Sequence, residues 1–277
     1  MGSELIRMGE SLPDYIWSAF SNLNNPDLVY NIHKENIKSG ATYLTANTFR
    51  TTQRSFKNAG ISNAEAENIA YKSMKIAVNL AKRAAESNTK ILGSIAPLED
   101  CYSPNLFPGS KIAKKEFRQI GRWLTEQYVD ILILETMNSI DETVCCLESI
   151  YDLDVPTWVS FAINQKMELI SGESLEDAIE TIKDFNIDAI LVNCSKIDDT
   201  YKAIPILSNN CNSLDWGLYP NLGLGDISTN GDIANIHSND TFVELMNSAI
   251  MSNVNILGAC CGSSTKHVNL ISSLLNN

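Results

Sequence analysis

Residues Ile187–Cys194 read "IDAILVNC". An apolar run of this length, without alternation of polar and apolar positions, describes a strand covered on both faces, as in a parallel sheet. The run ends abruptly in asparagine and cysteine, so chemistry-bearing groups stand where such a strand meets its loop. The same grammar recurs on either side. "KILGSIAP" (Lys90–Pro97), "VDILILET" (Val129–Thr136) and "PTWVSFA" (Pro156–Ala162) precede it. "WGLYPN" (Trp216–Asn221) and "VNILGAC" (Val254–Cys260) follow, and "ATYLTANTF" (Ala41–Phe49) opens the series.

Helical patterns separate these runs. They span Pro26–Gly40, Ser62–Ser87, Lys111–Gln127, Ser139–Tyr151, Glu173–Phe185, Ile197–Asn209, Asp240–Ser252 and Thr265–Leu275. Pro26 near one start, Gly40 after its end, and a Ser62–Glu65 capping box are the boundary signals. Seven strands thus alternate with eight helices, and the order begins and ends on a helix. The expectation is an α/β fold of the (β/α)8 TIM type in which the first strand is missing or truncated at the N-terminus. An open doubly wound sheet is the alternative. No linker interrupts the repeat, so residues 1–277 are expected to form one barrel domain. The polar stretch from Leu222 to Asn239 reads as a long functional loop, and its "LGLGD" (Leu222–Asp226) lacks the lysine and helix of a phosphate loop.

Composition narrows the function classes. The chain has 277 residues, 44% of them apolar and 19% charged, enough for a large core. A formal charge of −12 disfavours nucleic acid and anionic membranes as partners. No apolar run approaches the roughly 20 residues of a membrane span, and the opening "MGSELIRMGESLPDY" has no signal-peptide core, so a cytoplasmic location is expected. The seven cysteines are odd in number and suit a reduced compartment rather than a disulfide framework.

In a parallel barrel the reactive face is where strands end. Cys194, Cys260 and Cys261 fall there, whereas Cys101, Cys145, Cys146 and Cys211 fall in loops and helices and read as packing. Three converging thiolates suit Zn²⁺, with a fourth coordination position left open for catalysis. The spacing forms no CxxC pair, so residues alone leave packing and metal ligation both open. A redox pair is disfavoured, since a vicinal disulfide strains its geometry. Of the three histidines, His33 and His237 lie away from the strand ends, and His267 reads as a solvated residue of the last helix. Glu135 ends an apolar strand, where a carboxylate needs a partner; it reads either as a solvated strand end or as a clamp for a substrate ammonium. Arg50 reads as a surface arginine or a holder of a donor carboxylate. A Schiff-base aldolase is disfavoured because no strand ends in lysine.

Together, "ANTFRTT", "GSIAPLEDCY", "LETMNSI", "WVSFA", "LVNC" and "GACCGSSTKHV" resemble the homocysteine S-methyltransferase family, in order and over nearly the whole chain. The resemblance implies a (β/α)8 barrel with zinc on Cys194, Cys260 and Cys261. It also implies homocysteine held by Glu135, with Thr48 and Asn193 lining the pocket. No catalytic group beyond zinc activation of the substrate thiol is implied. A small methyl donor is expected, S-methylmethionine or S-adenosylmethionine first, a betaine-type or other sulfonium donor second. The family's N-terminal strand and aspartate have no counterpart here: Met1–Leu5 matches the tail of that turn. Two expectations follow, a true start further upstream or a catalytically impaired metal-binding homologue. Ala259 stands where the family has glycine, a change that matters only if the backbone there needs positive φ.

Overall fold

The computed structural model describes residues 1–211, 213–225, 233 and 235–276. Residues 226–232 and 234 of the polar loop after Leu222, including Asp226 of "LGLGD", lie outside the described residues. Among them, seven parallel strands form one sheet in strict chain order. They are β1 (Tyr43–Ala46), β2 (Lys90–Ile95), β3 (Ile131–Met137), β4 (Thr157–Phe161), β5 (Ala189–Lys196), β6 (Asp215–Asn221) and β7 (Ile256–Leu257). The sheet curls: the rings of Tyr43 on β1 and Trp158 on β4 meet at 5.1 Å. In a flat sheet three strand spacings, roughly 14 Å, would separate them. The result is a barrel lacking one strand, with its seam between β7 and β1, as the alternation of elements predicts.

The helices cover the outside. They are α1 (Gly2–Arg7), α2 (Ala19–Asn24), α3 (Pro26–Lys38), α4 (Gln53–Asn58), α5 (Asn63–Ala84), α6 (Ser110–Glu126), α7 (Ile140–Ile150), α8 (Leu175–Ile182), α9 (Ile197–Asn210), α10 (Asn239–Met251) and α11 (Thr265–Leu275). The short helices α1, α2 and α4 are additional to the sequence-based set, because one or two turns give too few residues for periodicity to register. The expected Ser62–Glu65 capping box is not made: the Ser62 hydroxyl donates to the Glu65 carboxylate at 2.7 Å instead of capping the backbone. A capping box forms at α11, where the Ser264 amide donates to His267 Nδ1 at 3.1 Å. His267 is therefore buried, edge-on against Phe242, and not solvated.

The core divides by face. Outward-facing strand residues such as Ile91, Leu132, Val159 and Ile190 pack under the helices, together with Cys145, Cys146 and Cys211. Inward-facing Leu92, Ile131, Ile133, Trp158, Ala189 and Leu191 fill the lumen. With side chains alternating at period two, the next inward positions toward the C-terminal ends are Ser94, Glu135, Ser160, Asn193 and Tyr219. An apolar plug is thus capped by a polar layer, on the face where parallel barrels carry chemistry.

One strand differs from expectation. β7 covers only Ile256–Leu257, not Val254–Cys260. In an extended strand, Cys260 and Cys261 would point to opposite faces. Leaving the strand at Leu257 lets both thiols turn the same way. Gly217 permits β7 to approach β6, since a Cβ there would sit 2.4 Å from the Ile256 carbonyl oxygen.

Candidate metal centre and substrate pocket

Cys194, Cys260 and Cys261 converge at the C-terminal ends of β5 and β7, with their sulfurs all within 4.8 Å of one another. Cys194 Sγ is 3.4 Å from Cys261 Sγ, and Cys260 Sγ is 3.9 Å from it. Tetrahedral zinc with Zn–S bonds of about 2.3 Å places its sulfurs about 3.8 Å apart. The spacing and the all-sulfur donor set fit that ion. Cys101 is buried outside this cluster, its thiol pKa pushed up to about 12 chiefly by burial, and Cys145, Cys146 and Cys211 lie in the helix-facing core.

Local backbone aims these groups. Cys194 follows the inward-facing Asn193, so regular alternation would turn it outward. Instead it adopts a left-handed conformation with φ +50°, and the β5–β6 register shifts between Asn193 and Lys196. The same device appears on β3: Thr136 has φ +61° and the β3–β4 register shifts between Leu134 and Met137. Left-handed backbone disfavours residues with a Cβ, so surrounding bonds must hold it. Asn193 supplies them. Its Oδ1 accepts from the Thr136 amide at 3.0 Å and from Ser160 Oγ at 2.7 Å, and its Nδ2 donates to Thr136 Oγ1 at 2.8 Å.

The paired cysteines are anchored in the same manner. The Cys260 amide donates to the Pro220 carbonyl and the Leu222 amide to the Cys261 carbonyl, each at 2.9 Å. Gly262 follows with φ +76°, a conformation open to glycine. Ala259 is not among the residues with positive φ, so its methyl group brings no backbone strain.

Electrostatics distinguish the three thiols. Cys194 and Cys260 donate toward Cys261, whose thiolate is stabilised and whose pKa falls well below the ordinary value. The two donors are held well above it by the same crowding. Tyr102, from the loop after β2, adds a hydroxyl donor 3.4 Å from Cys194 Sγ. A cation bound among the sulfurs would offset the mutual repulsion of the charged forms.

Glu135 sits in the polar layer beside this cluster. Burial raises its pKa, while Ser94 Oγ donates to Oε2 at 2.6 Å and partly offsets the rise. Thr48 lies at the end of β1, but its hydroxyl is engaged: it donates to the Ser94 carbonyl and accepts from the Ser94 amide, both at 2.9 Å. Thr48 and Asn193 therefore reach the layer as braces for Ser94 and Thr136. Arg50 turns away to the Pro97 carbonyl at 2.9 Å and the Phe49 ring. Ser94, Tyr102, Ser160 and Tyr219 were not singled out from the sequence as site residues. Period-two counting backward from each strand end exposes Ser94, Ser160 and Tyr219, but no sequence signal marks Tyr102.

Fold and site define a parallel-barrel protein with a three-cysteine centre at its strand ends. The sequence profile of the homocysteine S-methyltransferase family matches residues 1–275, and the chain belongs to that family. It is 28% identical over 208 residues to homocysteine S-methyltransferase 1 of Arabidopsis thaliana, covering 68% of this chain and 64% of that protein. The homocysteine S-methyltransferase of Escherichia coli is 24% identical over 240 residues, covering 80% and 76%. The metallated crystal structure of the homocysteine methyltransferase MmuM from Escherichia coli superposes with a TM-score of 0.81 over 99% of this chain and 93% of that one, at 21% identity. That likeness establishes the fold. No helix among the described residues is long and apolar enough to cross a membrane.

Proposed function

We propose that the chain is a zinc-dependent homocysteine S-methyltransferase that forms methionine from homocysteine and a small methyl donor. The observation that carries this reading is the meeting of three sulfurs within 4.8 Å beside the half-buried carboxylate of Glu135. Cys194, Cys260 and Cys261 would hold the ion, which supplies Lewis-acid stabilisation of the substrate thiolate near neutral pH.

The chain's own groups then bind and orient. Glu135 accepts the substrate's ammonium, whose charge offsets the burial that raises the carboxylate's pKa. Ser94 fixes the rotamer of Glu135 from the opposite side. Asn193 and Thr48 keep the strand ends that carry these groups in register. The substrate sulfur attacks the donor's methyl carbon as the carbon–onium bond breaks and its electron pair leaves with the donor. No protein group is methylated, so positioning supplies most of the protein's contribution. S-methylmethionine or S-adenosylmethionine is the preferred donor, since a sulfonium leaves as a neutral thioether. The described cysteines are all free, in keeping with a reducing, cytoplasmic setting. One barrel domain spans the chain in this reading.

The test is methionine formation by zinc-loaded protein with S-methylmethionine, S-adenosylmethionine and betaine in turn. Turnover with one donor, lost together with stoichiometric zinc in Cys260→Ser, is expected. Protein that binds zinc but makes no methionine from any donor overturns the reaction and leaves a metal-binding homologue.

A further inference from the structure

Tyr219 lies on β6, in register with Asn193, and points into the polar layer. Its hydroxyl oxygen is buried and makes no bond of good hydrogen-bond geometry, although the Glu135 carboxylate and the Ser160 hydroxyl lie close enough to interact with it. The hydroxyl and amide oxygens around it are engaged: Ser94 on Glu135, Ser160 on Asn193, and Asn193 on Thr136. A buried phenol left unpaired costs free energy comparable to a lost hydrogen bond. The Tyr219 Cβ packs against Gly258, where an added Cβ would come within 3.0 Å of it.

The charge around Tyr219 sets what it can do. A phenol keeps its proton at neutral pH, so the buried oxygen serves as a donor. An α-amino acid bound with its ammonium on Glu135 carries a carboxylate on the same carbon. That carboxylate must find donors within a few ångströms of Glu135 or lose its hydration uncompensated. Tyr219 stands beside Glu135 and offers a proton that no protein acceptor takes in good hydrogen-bond geometry.

We propose that Tyr219 binds the carboxylate of the homocysteine substrate, so that Glu135 and Tyr219 together read the zwitterionic head group. This rests on the proposed homocysteine site and assigns a second residue to it. The consequence is selectivity: thiols lacking the carboxylate gain nothing from Tyr219. A hydrogen bond to a charged group contributes about 1.5–3 kcal/mol, a factor of roughly 10 to 100 in affinity.

Calorimetric titration tests this with zinc-loaded wild type and Tyr219→Phe. The two ligands are homocysteine and 3-aminopropane-1-thiol, which is homocysteine without its carboxylate. Homocysteine should bind Tyr219→Phe roughly 10- to 100-fold more weakly than wild type. The amino thiol should bind both proteins equally. Removing an oxygen that has no protein partner leaves the fold intact, which bound zinc and circular dichroism verify. Equal homocysteine affinity in both proteins, or an equal loss for both ligands, overturns the role of Tyr219. Wild type that binds zinc but neither thiol overturns the homocysteine site itself, and the inference with it. Binding without turnover removes only the reaction, and the Tyr219 comparison still decides.

Discussion

Asn193→Ala separates bracing from substrate contact. Asn193 is fully buried, and its amide makes three side-chain bonds: to the Thr136 amide (3.0 Å), Ser160 Oγ (2.7 Å) and Thr136 Oγ1 (2.8 Å). Thr136 and Ser160 are themselves buried, so removal strands two donors and one acceptor. At about 1 kcal/mol of net stabilisation per bond, plus partial desolvation of the stranded groups, the loss should be roughly 3–5 kcal/mol. Urea unfolding of reduced, metal-free protein, followed by far-UV circular dichroism, isolates this from zinc binding. Ser160→Ala breaks one of the three bonds and should cost about 1 kcal/mol. Because both changes remove the same bond, the double variant should fall short of additivity by a similar amount. Homocysteine affinity should decline only as the left-handed turns loosen. A stability loss below about 1 kcal/mol, with homocysteine affinity reduced, would refute the bracing argument and make Asn193 a direct substrate contact.

Glu135→Gln should stabilise the protein at neutral pH while abolishing homocysteine binding. The folded-state pKa of Glu135 is raised by burial, so ionisation opposes folding once pH exceeds the ordinary carboxylate value. The stability advantage of the glutamine variant should therefore be present at pH 7 and vanish as pH falls below about 4.5, read by urea unfolding across pH. Gly217→Ala drives a methyl group to 2.4 Å from the Ile256 carbonyl, and should cost about 1–3 kcal/mol while weakening zinc binding measured against a chelator. Cys146→Ser places a hydroxyl in the core and should cost about 1–3 kcal/mol without altering zinc content, whereas Cys261→Ser should lose the zinc.

The seven strands and the long helices were legible because each apolar run is long enough to fix its type and the alternation fixes parallel order. Position sorted the cysteines into candidates without deciding between packing and ligation: Cys194 lies near the end of β5 and Cys260 and Cys261 follow β7, while Cys145 and Cys146 sit within α7. Short helices escaped notice, as did the truncation of β7, where two ladder residues are followed by a turn held through Pro220 and Leu222. Such turns depend on a distant segment, which local sequence does not contain. Thr48 and Asn193 were recognisable as buried polar strand-end residues, but their hydrogen-bond partners lie 46 and 57 residues away. Whether a polar side chain faces a ligand or a neighbouring strand is decided by those partners.

Period two predicts the inward layer of Ser94, Glu135, Ser160, Asn193 and Tyr219, yet it excludes Cys194, the residue most needed there. A regular β5 would bury that thiol under the helices beside the packing cysteines. The left-handed turn at Cys194 reverses this, and the matching turn at Thr136 lies across the Asn193 side chain from it. One asparagine thus couples the strand end that presents the carboxylate to the strand end that presents the first sulfur. A strained turn persists where its surroundings over-determine it. Placing that determination in a residue shared by both strand ends ties the sulfur centre and the Glu135 carboxylate to one geometry. In the proposed function, homocysteine reaches both through the three carbons between its sulfur and its ammonium, so that distance needs fixing, and flexible side chains on independent loops would not fix it.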